Sequence, residues 1–203
     1  EATAEHILIT NSHFESDKFL PFQFSASDLL SVNNLSSTHT QNPIEFCGLN
    51  SASKIVVQNS SFESASLKIN NAYLFDIDHT TFTQCSNGAL IISNDVDRAF
   101  VSLCNFTDCS SKSNGGAISS SATINFTVSA SSFSNCQAAD KGSCLYVITG
   151  KYSLIVDCEF VHSGGNNPSS IFLNDQNANS TTVFITDCFT SIGETTNVKH
   201  IYS

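Results

Sequence analysis

Hydrophobic positions along this chain come in short bursts, and seven of the bursts align on a phenylalanine. They read LITNSHFESD (8–17), VVQNSSFESA (56–65), IDHTTFTQCS (77–86), SLCNFTDCSS (102–111), SASSFSNCQA (129–138), IVDCEFVHSG (155–164) and, in degenerate form, FITDCFTSIG (184–193). The anchors are Phe14, Phe62, Phe82, Phe106, Phe133, Phe160 and Phe189; after a first interval of 48 residues they fall 20, 24, 27, 27 and 29 apart. The long first interval has room for one more, poorly matching unit, so about eight units of roughly 25 residues cover the chain. A second element follows several anchors: NGALII (87–92), GGAISS (115–120), GSCLYV (142–147) and SSIFLN (169–174). Small residues there open onto an apolar run of strand-forming type, so each unit offers at least two short strands joined by Ser, Asn, Asp and Gly turns.

Units this short cannot fold alone, and no helical periodicity is present. Period-two alternation puts Leu154, Val156, Cys158 and Phe160 on one face, with Ile155, Asp157 and Glu159 on the other; Phe100, Ser102, Cys104 and Phe106 match. Equivalent strands of successive units can stack in parallel at about 4.8 Å, each hydrogen-bonding the next. The expected fold is therefore all-β: a single parallel β-helix over residues 1–203, of about eight coils, with the seven phenylalanines stacked inside. Small residues before the second strand fit a corner where a larger side chain would strike the adjacent coil. Burying one Phe yields roughly 1.5–3 kcal/mol, whereas ordering a unit costs on the order of 1.5 kcal/mol per residue. The Ile, Leu and Val of both strands must therefore share the work.

Composition narrows the function classes. Charged residues make up 13% of the 203 and hydrophobic ones 40%, too apolar a mix for disorder. The net charge is −10 with a single arginine, Arg98, which excludes a phosphate-binding groove and hence a nucleic-acid partner. No apolar run approaches the roughly 18 residues of a membrane-spanning helix, so no membrane insertion by this segment is expected. Five N-glycosylation sequons begin at Asn34, Asn59, Asn105, Asn125 and Asn179, and eight cysteines carry no C-x-x-C pair. Together they favour a secreted, extracellular or cell-surface setting that permits disulfides.

The side chains with chemical potential are few. Cys85, Cys109 and Cys136 each lie three residues after an anchor, on consecutive coils, and Cys158 and Cys188 share an Asp-Cys pair one coil apart. A rise of about 4.8 Å per coil lies within the Cα window of a disulfide. Cys158–Cys188 and one adjacent pair among the other three are therefore disulfide candidates. Asp157 and Asp187 should stack on the solvent face, and Asp76, Asp78, Asp95 and Asp97 form two alternate-residue pairs. Such oxygens could take Ca²⁺, although solvated surface acids are the simpler expectation, and no cofactor is required. Arg98 is expected to pair with a neighbouring acid such as Asp97. The histidines form no metal-binding pattern, and no Thr row repeats coil after coil as an ordered-water surface would need.

The pairing of F-x-x-C with a downstream G-G-A-I resembles the repeat of the polymorphic outer-membrane protein family. FTDC…GGAI (106–118) matches best, then FSNC…GSCL (133–145) and FTQC…NGAL (82–90), so the resemblance covers roughly residues 77–150. It implies a right-handed β-helix, a hand that parallel crossover connections also favour, and a role in adhesion. Family members of bacteria end in a membrane β-barrel, which this sequence lacks; the sequons point instead to a eukaryotic secretory route. Ile201 keeps the last residues apolar, so the chain is expected to continue or to be covered by another subunit. The expected function is a non-enzymatic structural or adhesive module. Its partners would be other extracellular proteins, copies of itself or glycans. The same fold superfamily contains pectate-lyase-like enzymes, which makes a polysaccharide lyase or glycoside hydrolase the rival expectation.

Overall fold

A computed structural model describes residues 2–15, 22–40, 42–50, 52–93, 95–161, 170–175 and 182–190. Every described pairing is parallel, and no helix occurs among these residues. The chain winds as a β-solenoid of about six turns. That is fewer than the eight coils expected.

Each turn presents three ribbons. The first is exemplified by Lys54–Gln58, Ala72–Asp78 and Val96–Ser102; the second, the short phenylalanine ribbon, by Ser61–Glu63, Thr81–Thr83 and Asn105–Thr107; the third by Leu67–Asn70 and Leu90–Ile92. In later turns the third ribbon runs straight into the next first ribbon, giving the long strands Ile118–Ser129 and Leu145–Val156.

The phenylalanine ribbon carries the expected stack. Phe62, Phe82, Phe106, Phe133 and Phe160 are in register on successive turns. Their ring centroids are 4.9 Å apart at every step, nearly parallel, at the strand spacing, and the burial is complete or nearly so. The stack has five rings and not seven. Phe14 is in register with Ser37, which is itself in register with Phe62, so the weakly matching unit of the 48-residue interval puts a serine in the column. The half-buried Phe14 instead stacks on Phe22 and Phe24, at 4.9 and 5.6 Å. Phe189 is displaced by one residue: Phe160 pairs with Thr190, and Phe189 falls opposite Glu159, 57% exposed.

The third ribbon stacks Ile44, Leu67, Leu90, Ile118, Leu145 and Ile171 inward. On the first ribbon, large and small residues alternate along one inward column: Phe75, Ala99, Phe126, Ser153. Each bulky ring thereby faces a small neighbour, which fills the interior at constant cross-section.

The expected alternation through Leu154–Phe160 does not hold. Ser153, Ile155, Cys158 and Phe160 are buried, whereas Leu154 and Val156 are half-exposed on the outside. Likewise Val101 is buried and Phe100 is exposed. The cause is a left-handed residue three before each position of the phenylalanine column, counting Ser37 and Thr190 as its non-aromatic members. Asn11, Asn34, Asn59, His79, Leu103, Ala130, Asp157 and Asp187 all have φ between 45° and 55°. This corner turns the ribbon and shifts the inward set by one residue. A second left-handed column, His39, Ser64, Gln84, Asp108 and Asn135, closes the phenylalanine ribbon on its other side.

Candidate interaction surface

With the inside filled, the chemistry of the described chain lies on its outer columns and in the thiols beneath the corners. The first left-handed corner carries two of the sequon asparagines. Asn33 pairs with Gln58, so Asn34 and Asn59 occupy adjacent rungs of that column. Both are exposed; the Asn34 amide donates to Asn11 Oδ1 at 2.7 Å and the Asn59 amide to Asn33 Oδ1 at 3.0 Å. Asn tolerates αL because its short side chain finds partners locally. Asn105 is exposed on the phenylalanine ribbon and accepts from Ser132 Oγ at 2.8 Å. Asn125 is half-buried between Arg98 and Tyr152 on neighbouring turns. Asn179 lies outside the described residues.

Beneath that corner runs a column that sequence reasoning missed as a unit. Two residues before each anchor stand Ser60, Thr80, Cys104, Ser131 and Cys158, with Cys188 on the last described rung. Each side chain donates back across the corner to the carbonyl two residues earlier: Ser60 to Gln58 at 2.7 Å, Thr80 to Asp78 at 2.9 Å, Ser131 to Ser129 at 2.8 Å, Cys104 to Ser102 at 3.1 Å. The hydroxyls also accept from the preceding turn: Leu35 N–H bonds Ser60 Oγ and Cys104 N–H bonds Ser131 Oγ, both at 3.1 Å. The available signal was a Ser, Thr or Cys two before every anchor from Phe62 to Phe160.

All eight cysteines are free thiols in the structure. Their placement follows the repeat. Cys158 and Cys188 occupy successive rungs, Phe189 N–H bonding the Cys158 carbonyl at 2.9 Å. Cys85, Cys109 and Cys136 line a second buried column. Burial pushes the Cys104 thiol up to about 12, with Asp78 and Asp76 adding to the rise against a lowering effect of backbone hydrogen bonding at Thr80 and Ser102.

The acids are spread along the outside. Asp157 and Asp187 are exposed on adjacent rungs of the corner column, as expected. Asp76 and Asp78 are half-buried on the outer side of one ribbon; burial, with the Asp78 charge second, raises Asp76 above the ordinary carboxylate range. Asp78 is in register with Ser102, Ser129 and then Val156, so the Asp76–Asp78 pair and the Asp157 corner stand three rungs, about 14 Å, apart along the axis. Asp97 is half-buried and Asp95 exposed. No cluster of three or more metal-type side chains occurs among the described residues. The expected ion pair of Arg98 is replaced: its guanidinium sits 5.0 Å from the Tyr73 ring centroid, on the neighbouring turn, an arrangement Arg favours over an aromatic face. His6, His13, His39 and His79 are exposed; His162 and His200 lie outside the described residues.

No helix among the described residues is long and apolar enough to cross a membrane. No family model, no curated protein and no solved structure matches the chain.

Proposed function

We propose that this chain is a non-enzymatic, extracellular structural or adhesive module, N-glycosylated on its outer surface. Its partners in this reading are other extracellular proteins, glycans or copies of itself, met by the long repetitive face of the solenoid. The observation that carries the proposal is the exposure of Asn34, Asn59 and Asn105 on the outside of a solenoid whose inside is filled. Each of these amides is reachable by a transferase, and one N–H of Asn34 and Asn59 remains for the observed bond after a sugar replaces the other. The resemblance of FTDC…GGAI to an adhesive repeat supports the same reading.

The test is secretion from a eukaryotic cell followed by enzymatic deglycosylation. Asn34→Gln, Asn59→Gln and Asn105→Gln should each remove one glycan's mass from the secreted protein, and the purified solenoid should retain cells or extracellular matrix on a coated surface. Secretion without glycans, or coated surfaces that hold no more cells than a blank, would refute it. The rival reading, a polysaccharide lyase or glycoside hydrolase, draws on the raised Asp76 carboxyl beside Asp78. It requires turnover on a polysaccharide panel, lost in Asp76→Ala or Asp157→Ala. In either reading Ca²⁺ remains a candidate ligand of the corner acids, checked by calorimetric titration.

A further inference from the structure

The second thiol column holds more than the repeat announced. Cys85, Cys109 and Cys136 sit on three consecutive turns: Ser110 N–H bonds the Cys85 carbonyl and Gln137 N–H bonds the Cys109 carbonyl, the same ladder step twice. Cys109 is flanked by Cys85 and Cys136 on the rungs to either side. Across the Gly142 corner the same turn brings Cys144 back beside Cys136: the carbonyl oxygens of Gln137 and Ser143, one residue from each, would both stand 2.3 Å from a Cβ on Gly116. Cys144 occupies a column that Ala117 and Ala89 fill in the two preceding turns. All four cysteines are completely buried. The thiols therefore form a row of four in the order Cys85, Cys109, Cys136, Cys144.

A row of four has one complete pairing. We propose that the oxidised protein carries the disulfides Cys85–Cys109 and Cys136–Cys144. The central bond, Cys109–Cys136, would strand Cys85 and Cys144 at opposite ends of the row with no thiol to meet. Rung spacing of about 4.8 Å satisfies the Cα window for the first bond. The oxidant is a low-molecular-weight disulfide such as oxidised glutathione. For each pair one cysteine thiolate attacks the glutathione disulfide and releases one glutathione thiolate. The second cysteine thiolate then attacks the mixed disulfide at the protein sulfur and releases the other. Two protein S–H bonds are lost, one S–S bond forms, and two electrons pass to glutathione, giving two glutathione thiols. Because the thiols are buried in the folded chain, the exchange occurs while the turns assemble. The pairing does not depend on the proposed adhesive role.

Refolding in a glutathione redox buffer, acid quenching, alkylation in denaturant and non-reducing peptide mapping read the result. Peptides linked through Cys85–Cys109 and through Cys136–Cys144 are expected. A dominant Cys109–Cys136 link, or alkylation of all four thiols, overturns the proposal. The double variant Cys85→Ala with Cys144→Ala isolates the steric premise. Ala65 and Ala117 already hold these two columns in the preceding turns, so the fold tolerates both changes. That variant should form the Cys109–Cys136 bond, which is the same rung-to-rung step as Cys85–Cys109; if it stays a dithiol after identical refolding, a bond between rungs is sterically barred and the proposal fails.

Discussion

The two glycines of GGAI do different things, and a single methyl group separates them. Gly115 has φ +63°, and a Cβ there would stand 2.3 Å from the Ile118 carbonyl oxygen. Gly116 has no such φ, yet its Cβ would meet the Gln137 and Ser143 carbonyl oxygens of the next turn, both at 2.3 Å. Backbone on an adjacent turn cannot retreat without breaking the ladder. Gly88 is the contrasting case: φ is +83°, but its nearest obstacle is 3.4 Å away. Gly88→Ala should therefore cost about 1–2 kcal/mol, the left-handed penalty alone, and Gly116→Ala distinctly more, read as the larger fall in denaturant midpoint; equal falls would contradict the steric account. Cys104 sets a second residue-scale expectation. Its thiol titrates near 12 when folded against 9.0 as a free group. Its stabilising contribution is complete below about pH 9 and is lost as the pH climbs from there towards 12, because the unfolded chain releases the proton first. The slope approaches about 1.4 kcal/mol per pH unit. Urea titrations at stepped alkaline pH should show that slope reduced in Cys104→Ala.

At the scale of the ribbon, the sequence is most legible where one residue type repeats in one environment. The phenylalanine column was readable because Phe62 to Phe160 recur with nothing else so large in the same place. Alternation misled at Leu154 and Val156, because Asp157 adopts αL, a conformation Asp tolerates but does not dictate, so the corner reads as an ordinary outward strand position. Leu103 and Ala130 take the same conformation with no local propensity for it. Tertiary stacking imposes the corner on them. Phe189 misled in a related way: the Asp-Cys pair fixed the rung correctly, but an extra step to the aromatic would be needed to enter the core. The hydroxyl column beneath the corner yields a matched test. Ser131→Ala removes a bond to Ser129 O and leaves the buried Cys104 N–H without its acceptor, a loss of about 1–3 kcal/mol. Ser153→Ala deletes an equally buried Oγ that has no partner and should be neutral or stabilising. Chemical denaturation of the two variants separates them, and a Ser153 variant as weak as the Ser131 one would mean that burial alone, not hydrogen bonding, ties the corner.

Across the whole molecule, stability in a solenoid is a sum of turns and the contacts between neighbouring turns, so it need not be uniform. Here the uneven end is visible in particular residues. The strand Ala2–Glu15 is exposed almost throughout, and Ile9 is its one buried side chain. On the next turn the phenylalanine position is Ser37, buried with its Oγ unpaired, and three residues on Thr40 Oγ1 is also buried and unpaired. From Phe62 to Phe160, by contrast, the ring stack is unbroken and the third-ribbon column is buried beside it. Local opening should therefore begin at the first strand and meet its highest barrier between Lys54 and Val161. Native-state hydrogen exchange reads this directly: amides of Ala2–Glu15 should exchange first, those of Gln23–Thr38 next, and those of Thr81–Thr83, Asn105–Thr107 and Ser132–Ser134 last. If the first strand proves as protected as the phenylalanine ribbon, something must cover its free edge, and a second copy of the chain, sought as a concentration-dependent rise in that protection, would be the occupant to test.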